Sequence, residues 1–118
     1  MILNDKARFV ELMIPLLSNS KNICIISHAN PDGDAVGSSL GLFHVLSNNQ
    51  RVVNVLLPDR IPEFLRWLPG GANVVVGYDQ KALATKVLAE ADLVICLDFN
   101  QLNRVNGLEE GLTKTPAK

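Results

Sequence analysis

The chain has 118 residues, 47% of them hydrophobic and 19% charged, with a net charge of −1. That length builds one domain with a real core and excludes two, while a pI near 6.1 excludes a broad basic surface for long nucleic acids. No apolar run approaches the ~18 residues of a membrane span, and residues 1–6 lack a basic region followed by an apolar core, so a cytoplasmic location is expected.

In chain order, residues 4–17 place Phe9, Leu12, Met13 and Leu16 at helical spacing behind Asn4 as N-cap, with Pro15 kinking the last turn. Residues 23–26 form a β-branched apolar run that fits a strand covered on both faces. A largely buried helix is expected over residues 34–47 and a second strand over 51–57. A short helical piece comes next at 62–68, opened by Pro62 and stopped by Pro69-Gly70-Gly71. There Phe64, Leu65 and Trp67 are read as core. Residues 74–76 are a brief third strand, 79–90 a helix and 92–97 a fourth strand, whereas 101–118 is polar with no core-facing strand. Cys24 and Cys96, each inside an apolar run, are read as buried thiols without chemistry. Short strands alternating with helices predict an α/β fold, a Rossmann-like parallel sheet with helices on both faces, incomplete at its C-terminal end.

The stretch S-H-A-N-P-D-G-D-A-V-G-S-S, residues 27–39, is written as a turn at Asn30-Pro31-Asp32-Gly33. Residues 34–40 have helical rather than alternating periodicity, so the turn joins a strand's carboxyl end to a helix's amino end. Ligands bind at that junction in open parallel sheets, and a helix start attracts anions. Asp32 as a turn residue and Asp34 as a helix cap are each, taken singly, ordinary structural assignments. Together with His28 within seven residues, the two carboxylates repel unless a cation or protons compensate. Asp98, ending the fourth strand as His28 follows the first, belongs to the same sheet edge. One imidazole and three carboxylates suit a borderline-hard ion, Mn²⁺ first, with Fe²⁺, Co²⁺, Zn²⁺ or Mg²⁺ as alternatives. Two such ions about 3.5–4 Å apart serve displacement at phosphorus, so phosphoester hydrolysis is the expected reaction class. The loop lacks the later ligands of an EF-hand. His44 lies roughly 15 Å beyond Asp34 along the helix and is read as a half-buried structural histidine. Ser38, beside the small Gly37 and Gly41, and Arg104, beyond Asp98 and Asn100, are candidate phosphate contacts; Glu109 and Glu110 are read as a solvated face.

His28-Ala-Asn-Pro-Asp32-Gly-Asp34-Ala-Val-Gly37-Ser38 closely resembles the first motif of the DHH phosphoesterase superfamily, in the form of its nano-RNase type, the bifunctional oligoribonuclease and 3'-phosphoadenosine 5'-phosphate phosphatases. Leu97-Asp98-Phe99-Asn100 is similar to the second motif. The resemblance implies a binuclear Mn²⁺ centre in which His28 and Asp32 hold one ion, Asp34 holds the other and Asp98 bridges both. It implies short single-stranded oligoribonucleotides or 3'-phosphoadenosine 5'-phosphate as substrates; a cyclic-dinucleotide phosphodiesterase of the same superfamily and a non-catalytic nucleotide-binding module are the alternatives. The naming Asp-His-His motif does not occur in these 118 residues. In relatives it comes after the second motif by a helix and one more strand. Residues 1–118 are therefore expected to be the N-terminal part of a catalytic domain, without its C-terminal substrate-binding domain, inactive alone and prone to self-association through an unfinished sheet edge.

Overall fold

Four of the apolar runs become strands: β1 (Asn22–Ile26), β2 (Val52–Leu57), β3 (Val75–Val76) and β4 (Leu93–Cys96). They pair in parallel in the spatial order β3-β2-β1-β4. The computed structural model describes residues 2–47, 51–97, 104–105 and 107–118. Around the sheet lie α1 (Ile2–Ser18), α2 (Gly33–Leu46), α3 (Lys81–Glu90) and α4 (Glu109–Lys114), with single 3₁₀ turns at Glu63–Leu65 and Gly71–Asn73. Among these described residues no helix is long and apolar enough to cross a membrane.

Because side chains alternate along a strand, β1 feeds two cores. Ile23 and Ile25 pack with Val55, Leu57 and the α2 residues Val36, Leu40 and Leu46 on one face. Cys24 and Ile26 pack with Leu56, Val75 and the α3 residues Ala84 and Leu88 on the other. The expected sheet with helices on both faces is what these two layers build. Each is small, so removing even one buried side chain is felt.

Several expectations are corrected by packing. Val105 and Leu108 are buried in the second core, so the segment after 101 is not purely polar surface, and α4 docks on α3 so closely that a Cβ on Gly111 would lie 3.0 Å from Leu88 Cδ1. Phe64 and Trp67 are 73% and 75% exposed, and of that trio Leu65 alone packs on the core: a single 3₁₀ turn is too short to turn all three inward. Cys96, the last residue of β4, is exposed, whereas Cys24 is buried and its thiol is pushed up to about 12, chiefly by desolvation. The apolar stripe of α1 meets the core through Leu16 and Leu17, while Phe9 and Leu12 remain exposed among the described residues.

Polar groups fix the element ends. The Arg51 guanidinium donates to the carbonyls of Leu17 and Leu46, both at 3.2 Å, and so ties down the last turns of α1 and α2. Asp92 Oδ2 accepts the amides of Asn22 and Lys21 at 3.0 Å, which holds its carboxyl below the usual carboxylate range. On the outer side of β4, Lys118 N–H donates to Asp92 O (3.2 Å) and its carbonyl accepts from Val94 N–H (2.8 Å), the bonding pattern of a parallel bridge. One buried group stands apart: Ser39 Oγ, on the core side of α2, has no hydrogen-bond partner among the described residues. Ser39→Ala is expected to raise stability by about 1 kcal/mol, because it deletes an unsatisfied buried hydroxyl and leaves a better helix former. A urea midpoint that moves up at constant m-value checks this.

Candidate metal and phosphate site

The strand order places the site. From β1 the chain proceeds outward through β2 to β3 and then returns to put β4 on the other side of β1, so connections diverge at the β1/β4 boundary. In open α/β sheets the crevice beyond the carboxyl ends at such a boundary is where ligands bind. Here the two strand ends are locked past the ladder proper. Leu97 N–H donates to Ile26 O at 2.9 Å, and the buried Ser27 hydroxyl donates to Leu97 O, also at 2.9 Å. In the sequence His28 follows Ser27 and Asp98 follows Leu97; Asp98 and Asn100 lie outside the described residues.

His28 is 5% exposed, and its Nδ1 lies 2.7 Å from the Ala29 carbonyl. A carbonyl only accepts, so Nδ1–H is the donor in this contact, and Nε2 is the nitrogen through which the ring would ligate a metal. Ala29 N–H donates to the backbone carbonyl of Arg104 at 2.6 Å. Asn30 N–H donates to Asp59 Oδ2 at 2.7 Å, and Asn30 itself is left-handed, with φ of 51°. That conformation costs a typical L-residue about 1 kcal/mol, and Asn tolerates it better than most. Pro31 behind it is buried.

Asp32, not Asp34, is the N-cap of α2. Its Oδ1 accepts Ala35 N–H at 2.8 Å, and the helix begins at Gly33, one residue earlier than its periodicity suggests. Asp34 falls in the first turn, exposed, where its charge is favourable to the helix dipole. Ser38 is exposed on α2, and Gly33, Gly37 and Gly41 share an open surface on which an added Cβ would meet nothing within 4 Å. Arg104 keeps an exposed side chain and contributes its carbonyl to the loop. His44 is exposed rather than half-buried; Nε2 donates to Pro69 O at 2.9 Å and the ring sits edge-on to Phe43, which keeps it structural. Among the described residues no three His, Cys, Asp or Glu side chains converge as a complete metal site.

The sequence reading missed Asp59. Its signal was available, an aspartate right after Pro58 at the carboxyl end of an apolar strand, but only the parallel register of β1 and β2 reveals that it reaches Asn30.

Comparison with known proteins gives this edge a context. The DHH family, N-terminal domain, matches residues 22–115. The chain belongs to the DHH family. A solved structure of an exopolyphosphatase-related protein from Bacteroides fragilis is similar to it at 37% identity, with a TM-score of 0.89 over 92% of this chain. The chain spans about a third of that protein's length, 32%. The DHH family match takes in His28, Asp32, Asp34, Asp98 and Asp59 together, since all lie between residues 22 and 115.

Proposed function

We propose that the protein to which this chain contributes is a Mn²⁺-dependent phosphoesterase acting on short single-stranded oligoribonucleotides or 3'-phosphoadenosine 5'-phosphate. The observation that carries this reading is the loop at residues 28–32, which stands at the carboxyl end of β1 in a DHH family domain with His28 Nδ1 engaged by the Ala29 carbonyl. The donor set also fits the ion: a neutral imidazole with the carboxylates of Asp32, Asp34 and Asp98 suits Mn²⁺ better than a soft metal. His28 and Asp32 would hold one ion, Asp34 a second, and Asp98 both.

Bound there, the metal pair would supply an ionised water at neutral pH and neutralise charge on the phosphoryl oxygens. The chain's own groups do the remaining work. Nδ1–H of His28, donating to Ala29 O, keeps the ring from turning. Asp32 divides its duties: Oδ1 holds the first turn of α2 through Ala35 N–H, and this fixes the carboxylate plane. The start of α2, with its partial positive charge, faces the strand-end crevice and favours a phosphate over a neutral ligand.

The test is hydrolysis of a diribonucleotide and of 3'-phosphoadenosine 5'-phosphate by the full-length protein. Turnover should appear with Mn²⁺, vanish with a chelator and return when Mn²⁺ is restored. An assay on inorganic polyphosphate belongs beside it, given the exopolyphosphatase-related name of the Bacteroides fragilis neighbour. Nucleotide binding that is indifferent to the chelator, with no turnover, would instead establish a non-catalytic nucleotide-binding module.

A further inference from the structure

We infer that Asp59 is a positioning residue for the metal-ligating loop: its carboxylate holds the Asn30 amide and thereby sets the separation of His28 and Asp32. The consequence for metal affinity rests on the function proposed above; the consequence for the Asn30 amide does not.

Two amides in succession within the loop are tied to other elements. Ala29 N–H is held by the Arg104 carbonyl, and Asn30 N–H by Asp59 Oδ2. The second tie is the unusual one, because it crosses to the neighbouring strand's end and uses an ionised side chain, which makes a stronger bond than a neutral acceptor. It also falls on Asn30, the one non-glycine residue with positive φ among those described. A left-handed residue has a ready escape to ordinary backbone angles, and such a conformation persists only when its surroundings over-determine it. Any such escape at Asn30 would re-aim the amide and swing Asp32 relative to His28, since a single intervening residue, Pro31, has its φ fixed by its ring.

Asp59 is itself well placed to resist that movement. It directly follows buried Pro58, whose carbonyl accepts Tyr78 N–H at 2.9 Å, and Leu57 before it accepts Gly77 N–H at 2.7 Å. The carboxylate is thus mounted on backbone anchored just past the end of β3, a rigid support for the turn. Groups that orient metal ligands from outside the coordination sphere commonly cost 10–100-fold in metal affinity when removed.

The experiment uses the full-length protein and two readouts. In metal-free protein, amide hydrogen exchange at Asn30 should accelerate at least about 10-fold in Asp59→Ala and stay near wild type in Asp59→Asn, whose carbonyl still accepts. Direct Mn²⁺ titration by calorimetry should show affinity weakened about 10–100-fold in Asp59→Ala and largely recovered in Asp59→Asn. Unchanged Asn30 exchange in Asp59→Ala overturns the proposal whatever the activity. So does an equal loss of Mn²⁺ affinity in both variants, which would make the charge, and not the hydrogen bond, the relevant property. Accelerated exchange in a protein that binds no Mn²⁺ even as wild type would keep the loop tie and remove the metal reading instead.

Discussion

Asp34→Asn in the full-length protein is expected to lower kcat/KM for a diribonucleotide about 1,000-fold while changing substrate binding severalfold at most. A ligand carboxylate supports a metal that contributes several kcal/mol to the transition state, and ~4 kcal/mol corresponds to about three powers of ten. The substitution is sterically silent. Asp34 is exposed in the first turn of α2 and makes no cap, since that task belongs to Asp32. What the fold loses is a charge near a helix start, about 0.3–1 kcal/mol, so the variant remains folded and a small fall in melting temperature is the only structural trace. Steady-state kinetics beside a binding measurement separate the two classes of function. A catalytic site loses turnover and keeps affinity, whereas parallel, modest changes in both would mean that Asp34 serves binding alone. Asp32→Asn is the less clean experiment, because the same carboxylate starts the helix.

Ile26→Ala should destabilise the protein by about 3–4 kcal/mol, with Ile26→Val costing about 1 kcal/mol. Ile26 is fully buried in β1, one of the two inner strands, paired in register with Leu56 on β2 and Cys96 on β4. Its side chain enters the layer formed with Val75, Ala84 and Leu88, and that layer includes Val105 and Leu108 from the C-terminal segment. Truncation leaves a cavity that rigid neighbours on a four-stranded sheet fill poorly. Against a typical total of about 5–15 kcal/mol, the loss is a large fraction of the whole. Denaturant unfolding reads it as a lowered midpoint with an unchanged slope. A cost below about 1 kcal/mol for the alanine variant would mean that the α3 layer collapses onto the gap.

How much of this was legible beforehand differs by element. The strands were, because short β-branched runs buried on both faces have few other solutions; β1, β2 and β4 lie within a residue of where their patterns place them. The helix after the turn was too, and the error at its start is informative. Both Asp32 and Asp34 can cap a helix by residue type, and the choice depended on backbone angles that Pro31 and the left-handed Asn30 impose together. Burial of single residues was less legible. Phe64, Trp67 and Cys96 are hydrophobic in character yet exposed, since burial needs a facing element and periodicity cannot say whether one is there.

The sequence by itself determined the residue types at the candidate site: an imidazole and two carboxylates within seven residues, around a proline-glycine turn between a strand and a helix. It also determined the alternation that makes a parallel sheet, because helical and strand periods are local properties of the chain. Tertiary structure decided the rest. That β4 returns to the side of β1 opposite β2, which makes the β1/β4 boundary the point where connections diverge, comes from the order of packing and not from any local signal. That Asp59 rather than a nearer residue holds Asn30 comes from parallel register across 29 positions, and contacts at such separation are invisible until the sheet has formed.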